Sequence, residues 1–111
     1  MGLLVPPSKA SPPRNPVPQR LSDARTEAGL SQKSLGILAG LDPSVASPRI
    51  NQYERGVHSP SFPMLVALAR VLKVPVAYFY CQDEDSAAML LAYSQASLSV
   101  QSKVRKALGL K

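Results

Sequence analysis

Residues 31–56 read SQKSLGILAGLDPSVASPRINQYERG, and apolar residues recur in this stretch at helical spacing on both sides of a turn. Ser31 has the chemistry of a helix N-cap, because its hydroxyl can accept a hydrogen bond from a free N–H of the first turn. An apolar face follows from Leu35, and Gly40 suits a left-handed stop at the C-terminal end. The stretch therefore predicts two short helices joined by a turn.

The start of the second of these helices has two interpretations. Asp42 can cap a helix that begins at Pro43 and is then interrupted by Pro48. Alternatively, Ser47 caps a helix with Pro48 at its first position, where the missing N–H costs nothing. Because a proline inside a helix costs about 3 kcal/mol, we expect the second arrangement, with a helix over Pro48–Arg55.

Helical patterns also flank this pair. Ser61 can cap a further helix, and residues 74–80 indicate a turn and one short helix that closes the core. No alternation long enough for a sheet is present. The sequence predicts an all-α fold in which five short helices pack as a compact bundle over residues 19–80. The apolar residues that define its faces are Leu21, Ala24, Ala28, Leu35, Leu38, Ala39, Ile50, Tyr53, Leu65, Leu68, Ala69 and Leu72.

The two ends of the chain differ from this central part. Residues 1–18 hold six of the eleven prolines, and we expect a disordered arm there because each proline removes a backbone donor. In residues 81–111, acidic residues at 83–85 mark a helix start. An apolar run and an amphipathic segment follow, the latter with Val100, Val104, Ala107 and Leu108 on one face. This C-terminal segment either forms a dimer interface or packs back on its own domain.

Composition restricts the class of protein. A net charge of +6 and a pI of about 9.8 favour a polyanionic partner, either nucleic acid or an anionic membrane surface. The apolar runs fall short of the roughly 20 residues of a membrane-spanning helix, and the first residues do not resemble a signal peptide. Cys81 is the only cysteine, which favours the reducing cytoplasm; we interpret it as a small buried apolar residue.

Signatures of catalysis or metal binding are missing from the sequence. His58 is the single histidine, without cysteine or carboxylate partners at ligand spacing, so a metal site is not expected. We find no paired-carboxylate, nucleophile–base or phosphate-loop motif. We therefore predict a protein that is not an enzyme and that has no cofactor and no evident small-molecule ligand.

Several blocks of sequence resemble the phage-repressor/Cro-like helix-turn-helix family. They are RTEAGLSQ (25–32), LGILAGL (35–41), INQYERG (50–56), SPS (59–61) and LVALARVLKVP (65–75). The resemblance covers about residues 19–80 and implies a regulator whose second helix crosses the DNA backbone while the third enters the major groove. The segment between these two helices is longer than the turn of about 3–4 residues usual for the motif.

The resemblance also implies roles for individual side chains. Gln52 can form paired hydrogen bonds with adenine and Arg49 with guanine, with Asn51 and Ser47 as further candidates for base contacts. Arg25 and Glu54 are implied to form an ion pair that ties the first helix to the third, so Glu54 is structural. The candidates for phosphate contacts are Arg25, Gln32, Lys33, Arg55, His58 and Ser59.

These features predict a cytoplasmic, dimeric transcriptional regulator that binds double-stranded DNA. Repression is the expected mode, because a bound dimer can obstruct a promoter. Two alternatives remain at this point. The chain could be the antitoxin of a toxin–antitoxin pair, or a protein-interaction module of the same fold that does not bind DNA.

Overall fold

The structure is a computed structural model that describes residues 13–111. The proline-rich arm predicted for residues 1–18 lies mostly outside the described residues, because residues 1–12 are not among them. At the other end of the arm the predicted boundary is wrong. The first helix begins at Val17 and includes Pro18 in its first turn, where a proline loses no helical hydrogen bond.

Six α-helices and one 3₁₀-helix follow one another along residues 13–111, and no strand occurs between them. The prediction of an all-α fold with further helices at its C-terminal end is confirmed. In chain order the elements are α1 (Val17–Glu27), α2 (Gln32–Leu38), α3 (Pro43–Glu54), α4 (Phe62–Leu72), a 3₁₀-helix (Val76–Tyr80), α5 (Glu84–Gln95) and α6 (Leu98–Ala107).

Polar side chains mark the starts of these helices. The Ser31 hydroxyl accepts a hydrogen bond from the Ser34 N–H at 2.9 Å, and the Ser61 hydroxyl accepts one from the Met64 N–H at 3.2 Å. Both N-caps were predicted. Gly40 adopts a φ of +101°, and it lets the chain leave α2 in a conformation that other residues rarely adopt.

The core lies where α1 to α4 and the 3₁₀-helix meet. Fully buried side chains come from each of these elements: Leu21, Leu35, Ile50, Leu65, Leu68 and Phe79. Burying one such side chain stabilises the fold by about 1.5–3 kcal/mol. Tyr53 is buried as predicted, and so are Tyr78 and Phe79 of the 3₁₀-helix. Ala28 and Leu38, which the spacing placed on buried faces, are exposed, as is Tyr80. The predicted central bundle is present.

Arg20 attaches the C-terminal part to this bundle. It is the only charged residue among the buried ones that the structure describes, with 3 % of its surface exposed. Its Nε donates to the Cys81 carbonyl at 2.9 Å, and its guanidinium contacts Glu84 at 2.8 Å. The guanidinium also lies over the Tyr78 ring, 5.9 Å from the centroid. The first turn of α5 is therefore held against α1, and Cys81 is half-buried beside it.

The last helix is attached differently. α6 buries none of its residues. Its first turn is held by Gln101, whose Nε2 donates to the Tyr93 carbonyl at 2.7 Å. In α5 only Ala87 is buried. The C-terminal segment thus forms two helices, as predicted, but it adds little to the core.

Candidate nucleic-acid interface

The helices α2 and α3 pack against each other more closely than ordinary side chains allow. A Cβ placed on Gly36 would lie 2.7 Å from the Ala46 Cβ and 3.0 Å from both the Ala46 Cα and its carbonyl oxygen. Residue 36 must therefore be glycine for the two helices to keep this separation. Ala46 has no exposed surface, so the contact fixes the position of α3 on α2.

The start of α3 differs from the arrangement that we expected. Asp42 caps the helix, because its carboxylate accepts hydrogen bonds from the Ser44 N–H at 2.8 Å and from the Ser44 hydroxyl at 2.6 Å. Pro43 occupies the first helical position. The expectation that Ser47 caps a helix starting at Pro48 is wrong, and Pro48 does not interrupt the helix, which runs without a break to Glu54.

The packing of the first turns explains why an interior proline is tolerated. Pro48 removes the hydrogen bond that would end on the Ser44 carbonyl. Ser44 is exposed, so that carbonyl can bind water instead. In return, the additional turn buries Ala46 against α2 and gains the Asp42 cap. The cost of the proline alone therefore does not decide where α3 begins.

We expect Asp42→Ala to lower the urea midpoint of unfolding at about pH 7. The Ser44 hydroxyl and, secondly, the Ser44 N–H hydrogen bond to the carboxylate and lower the pKa of Asp42 below its usual value. A lowered folded-state pKa stabilises the protein above the unfolded pKa of about 3.9. That stabilisation is lost as the pH falls through the folded-state pKa.

The test is a urea titration of both proteins at several pH values and equal protein concentration. The difference in midpoint between Asp42→Ala and the unchanged protein should shrink as the solution is acidified below about pH 4. A difference that stays constant into acid would contradict a role for the ionised cap.

One face of α3 is buried and the opposite face is free. Ala46, Ile50 and Tyr53 face the core. Positions 44, 48 and 55 fall on the other side of the helix, since successive residues turn by about 100°. These positions carry Ser44, Pro48 and Arg55, all of them exposed. This face is continuous from the first turn of α3 to its last.

The four predicted base-contact residues all lie on α3, in different positions. Arg49 is exposed, whereas Ser47, Asn51 and Gln52 are half-buried. Asn51 lies toward α2, because its side-chain oxygen accepts a hydrogen bond from Gln32 at 3.2 Å. Among the described contacts, Asn51 is therefore the one of the four that receives a hydrogen bond from α2, and Ser47, Arg49 and Gln52 receive none.

The ion pair between α1 and α3 is present. Arg25 Nε lies 2.5 Å from one carboxylate oxygen of Glu54, and a terminal guanidinium nitrogen lies 3.0 Å from the other. The remaining terminal nitrogen donates to the Leu30 carbonyl at 2.9 Å. Only 18 % of the Arg25 side chain and 7 % of the Glu54 side chain are exposed. The hydrogen bonds with Glu54 raise the pKa of Arg25, which therefore stays charged.

Gln32 joins this ion pair, which the sequence reasoning missed. Its Nε2 donates to Glu54 at 3.1 Å as well as to Asn51. Both amide hydrogens therefore bind α3, and the phosphate contact of Gln32 stays a prediction. The position of Gln32 at the first residue of α2 could have indicated this contact, because it places an amide donor opposite the Glu54 carboxylate on α3.

The other candidates for phosphate contacts surround this network. Lys33, Arg55, His58 and Ser59 are exposed. The last two belong to the loop after α3, which turns at Gly56 with a φ of +74°. The N–H groups of Val57 and His58 donate to the Gln52 carbonyl at 2.9 and 3.3 Å, so this loop is fixed to the end of α3.

The predicted site did not include two side chains that lie on the first turn of α3. Ser44 and Val45 lie on the additional first turn, and Val45 is 38 % exposed. The pair Asp42-Pro43, a cap followed by a proline at the first helical position, was the signal that could have revealed them.

Two properties of the described residues bear on other kinds of site. Between residues 13 and 111, no helix has the length and apolar character needed to cross a membrane. Over the same range, His, Cys, Asp and Glu side chains form no group of three that could hold a metal ion.

Comparison with known proteins supports the interpretation of this surface. A family model described as helix-turn-helix matches residues 21–79. The chain is also similar to a solved protein, the subject of "Crystal structure of transcriptional regulator BswR", with 41 % sequence identity and a TM-score of 0.81. That match covers 84 % of this chain and 92 % of the other, so it includes residues beyond the helix-turn-helix. No curated protein matches the sequence.

Proposed function

The chain belongs to the XRE/Cro-like helix-turn-helix family of DNA-binding transcriptional regulators, and from this we propose that it is a cytoplasmic repressor that reads operator DNA as a homodimer. The family is one of regulators and not of enzymes, as predicted. The observation that carries the proposal is the free polar face of α3, held in place by the Arg25–Glu54 pair.

In this proposal the α3 side chains divide between reading and positioning. Gln52 and Arg49 contact base edges in the major groove, as their amide and guanidinium groups suit adenine and guanine. Ser47 makes a further base contact from the side of α3. Asn51 positions α3 through its hydrogen bond with Gln32 and is a secondary candidate for a base contact.

Phosphate contacts flank the reading helix. Lys33 at the start of α2, and Arg55, His58 and Ser59 after α3, are exposed and contact the backbone on either side of the groove. Arg25 contributes charge at the same edge while it remains paired with Glu54. Such contacts set affinity and register, whereas α3 sets sequence preference.

A single helix-turn-helix gives little affinity, so we propose that two copies bind half-sites about 34–36 Å apart. Residues 81–111 are the segment proposed to join the copies. This assignment is supported by α5 and α6, which bury almost none of their side chains within one chain.

Selection of bound sites from random duplex DNA tests the proposal. An enriched inverted repeat is the expected result, since two copies related by a two-fold axis read a palindrome. No enrichment, together with affinity for duplex DNA that does not fall with salt, would refute DNA reading. That outcome would favour the protein-interaction alternative. Relief of promoter activity on deletion of the protein distinguishes repression from activation.

We expect Gln52→Ala and Lys33→Ala to weaken DNA binding in different ways. Loss of the Gln52 amide should cost about 1–3 kcal/mol on the selected site and relax the preference at one base pair. Loss of Lys33 should weaken all sequences similarly and reduce the slope of log K against log salt by about 0.9 per half-site.

Fluorescence anisotropy with the selected site and a scrambled duplex, over a range of salt, measures both effects. Arg70→Ala is the matched control for charge, because Arg70 is exposed on α4 outside the proposed interface. Equal losses by Gln52→Ala on the selected and scrambled duplexes would contradict a base contact.

A further inference from the structure

A groove runs between α1, the end of α4 and the second half of α5. Its volume is about 750 Å³. Its apolar residues include Leu30, Leu38, Leu72, Val74 and Leu91. Leu38 is 60 % exposed there, an unusual state for a large apolar residue beside other apolar side chains. The groove lies apart from the free face of α3.

One edge of the groove is acidic. Asp23 and Glu27 line it and stand four residues apart on α1, so that their side chains lie one above the other along the helix. Both residues are exposed. Lys73 lines the groove as well. The groove therefore combines an apolar floor with two carboxylates along one edge and a single cation, so acidic side chains are in excess.

The helix α6 has the complementary pattern. It contains three basic residues and no acidic ones, and it buries no side chain. Val100, Val104 and Leu108 fall on one side of it, Lys103 borders that side, and Lys106 lies further round on the polar side. Lys103 can therefore approach the carboxylates on α1 while Val100 and Val104 contact the apolar floor, and Arg105 and Lys106 add to the positive charge of the helix.

We propose that the groove of one copy binds α6 of a second copy, with Val100 and Val104 on its apolar floor and Lys103 beside Asp23 and Glu27. Reciprocal exchange of α6 makes a closed two-fold dimer, and the binding mode is that of an amphipathic helix in an apolar groove. The inference specifies the interface of the homodimer proposed above and rests on that part of the proposal.

The position of α6 within its own chain favours exchange over binding in the same chain. No described residue of α6 lines its own groove. The Gln101 side chain holds the first turn of α6 on the Tyr93 carbonyl at the end of α5. Only two residues separate α5 from α6, so α6 is fixed at the C-terminal end of α5. The groove lies along the side of α5, at Leu91.

Charge reversal on the full chain tests the exchange. One variant carries Asp23→Lys and Glu27→Lys, and another carries Lys103→Glu and Lys106→Glu. In a dimer of either variant alone, like charges meet at both contacts between a groove and an α6 helix. Sedimentation equilibrium should therefore show self-association weakened by at least about tenfold. An equimolar mixture should recover the dimer, because both grooves then face an α6 of opposite charge.

The mixture distinguishes binding of α6 by a second copy from binding of α6 within the same chain. If α6 bound the groove of its own chain, mixing would restore nothing. Arg70→Glu combined with Arg14→Glu is the control for net charge, since both residues are exposed and neither lines the groove, and it should dimerise like the unchanged protein. Circular dichroism checks that every variant folds. A monomeric unchanged protein, unaffected dimers of the variants, or a mixture that stays monomeric would each overturn the proposal. Salt-dependent binding of duplex DNA, measured on the same samples, reports separately on the proposed function.

Discussion

Glu54→Ala is expected to lower the free energy of unfolding by about 2–4 kcal/mol, because it leaves a largely buried guanidinium without its partner. Arg25 loses both of its bonds to the carboxylate, and Gln32 loses one of its two acceptors. The same change frees α3 from α1 at one end, so binding of duplex DNA should fall by at least about tenfold. Urea denaturation and fluorescence anisotropy measure the two losses.

Two further variants make this test specific. Asp85→Asn removes an exposed carboxylate from the first turn of α5 and should cost less than about 1 kcal/mol. Arg25→Ala in the Glu54→Ala background should recover part of the lost stability, since no unpaired charge is then buried. A loss of stability for Glu54→Ala no larger than that for Asp85→Asn would show that the pair does not fix α3.

Gly36→Ala is expected to be the second most damaging change. In a free helix, alanine in place of glycine stabilises by about 0.5–1 kcal/mol. Here the new methyl group meets the Ala46 backbone as well as its Cβ, and backbone cannot rotate away. Overpacking of this kind costs about 1–3 kcal/mol, so the net effect is destabilising and α3 is displaced. Thermal unfolding and DNA affinity should both fall.

A double-variant cycle with Ala46→Gly isolates this contact. Ala46→Gly alone should cost about 1 kcal/mol through the flexibility of glycine in a helix. In combination with Gly36→Ala it removes the nearest of the clashing atoms, so the double variant should be more stable than the sum of the two single changes predicts. Simple additivity would contradict the close approach of α2 and α3.

Local chemistry made much of this molecule predictable from its sequence. Ser31 and Ser61 could be identified as caps because a cap depends on only three or four neighbouring residues. The apolar spacing of α4 and the positions of Leu35 and Ile50 likewise indicated which faces are buried. The Arg25–Glu54 pair, 29 residues apart, could be expected only from the resemblance to a family.

The failures involve contacts between elements. The start of α3 was misplaced because the local cost of Pro48 was weighed without the burial of Ala46 on Gly36, which no local pattern reveals. The hydrogen bonds of Gln32 with Asn51 and Glu54 were not foreseen, because these partners on α3 come from a distant segment. The short helix within residues 74–80 was expected to close the core, but a 3₁₀-helix of five residues cannot bury all three of its aromatic side chains on one side, and Tyr80 is exposed.

The division of α3 into two faces has a consequence for how such a regulator changes its targets. Ala46, Ile50 and Tyr53 hold the helix on its scaffold, while Pro48 and Arg49 are exposed. Mutations at the free positions can therefore alter the preferred operator with little loss of stability, because exposed substitutions usually change it by less than about 0.5 kcal/mol. Duplicated copies of the gene could diverge toward separate promoters by such steps, each remaining folded throughout.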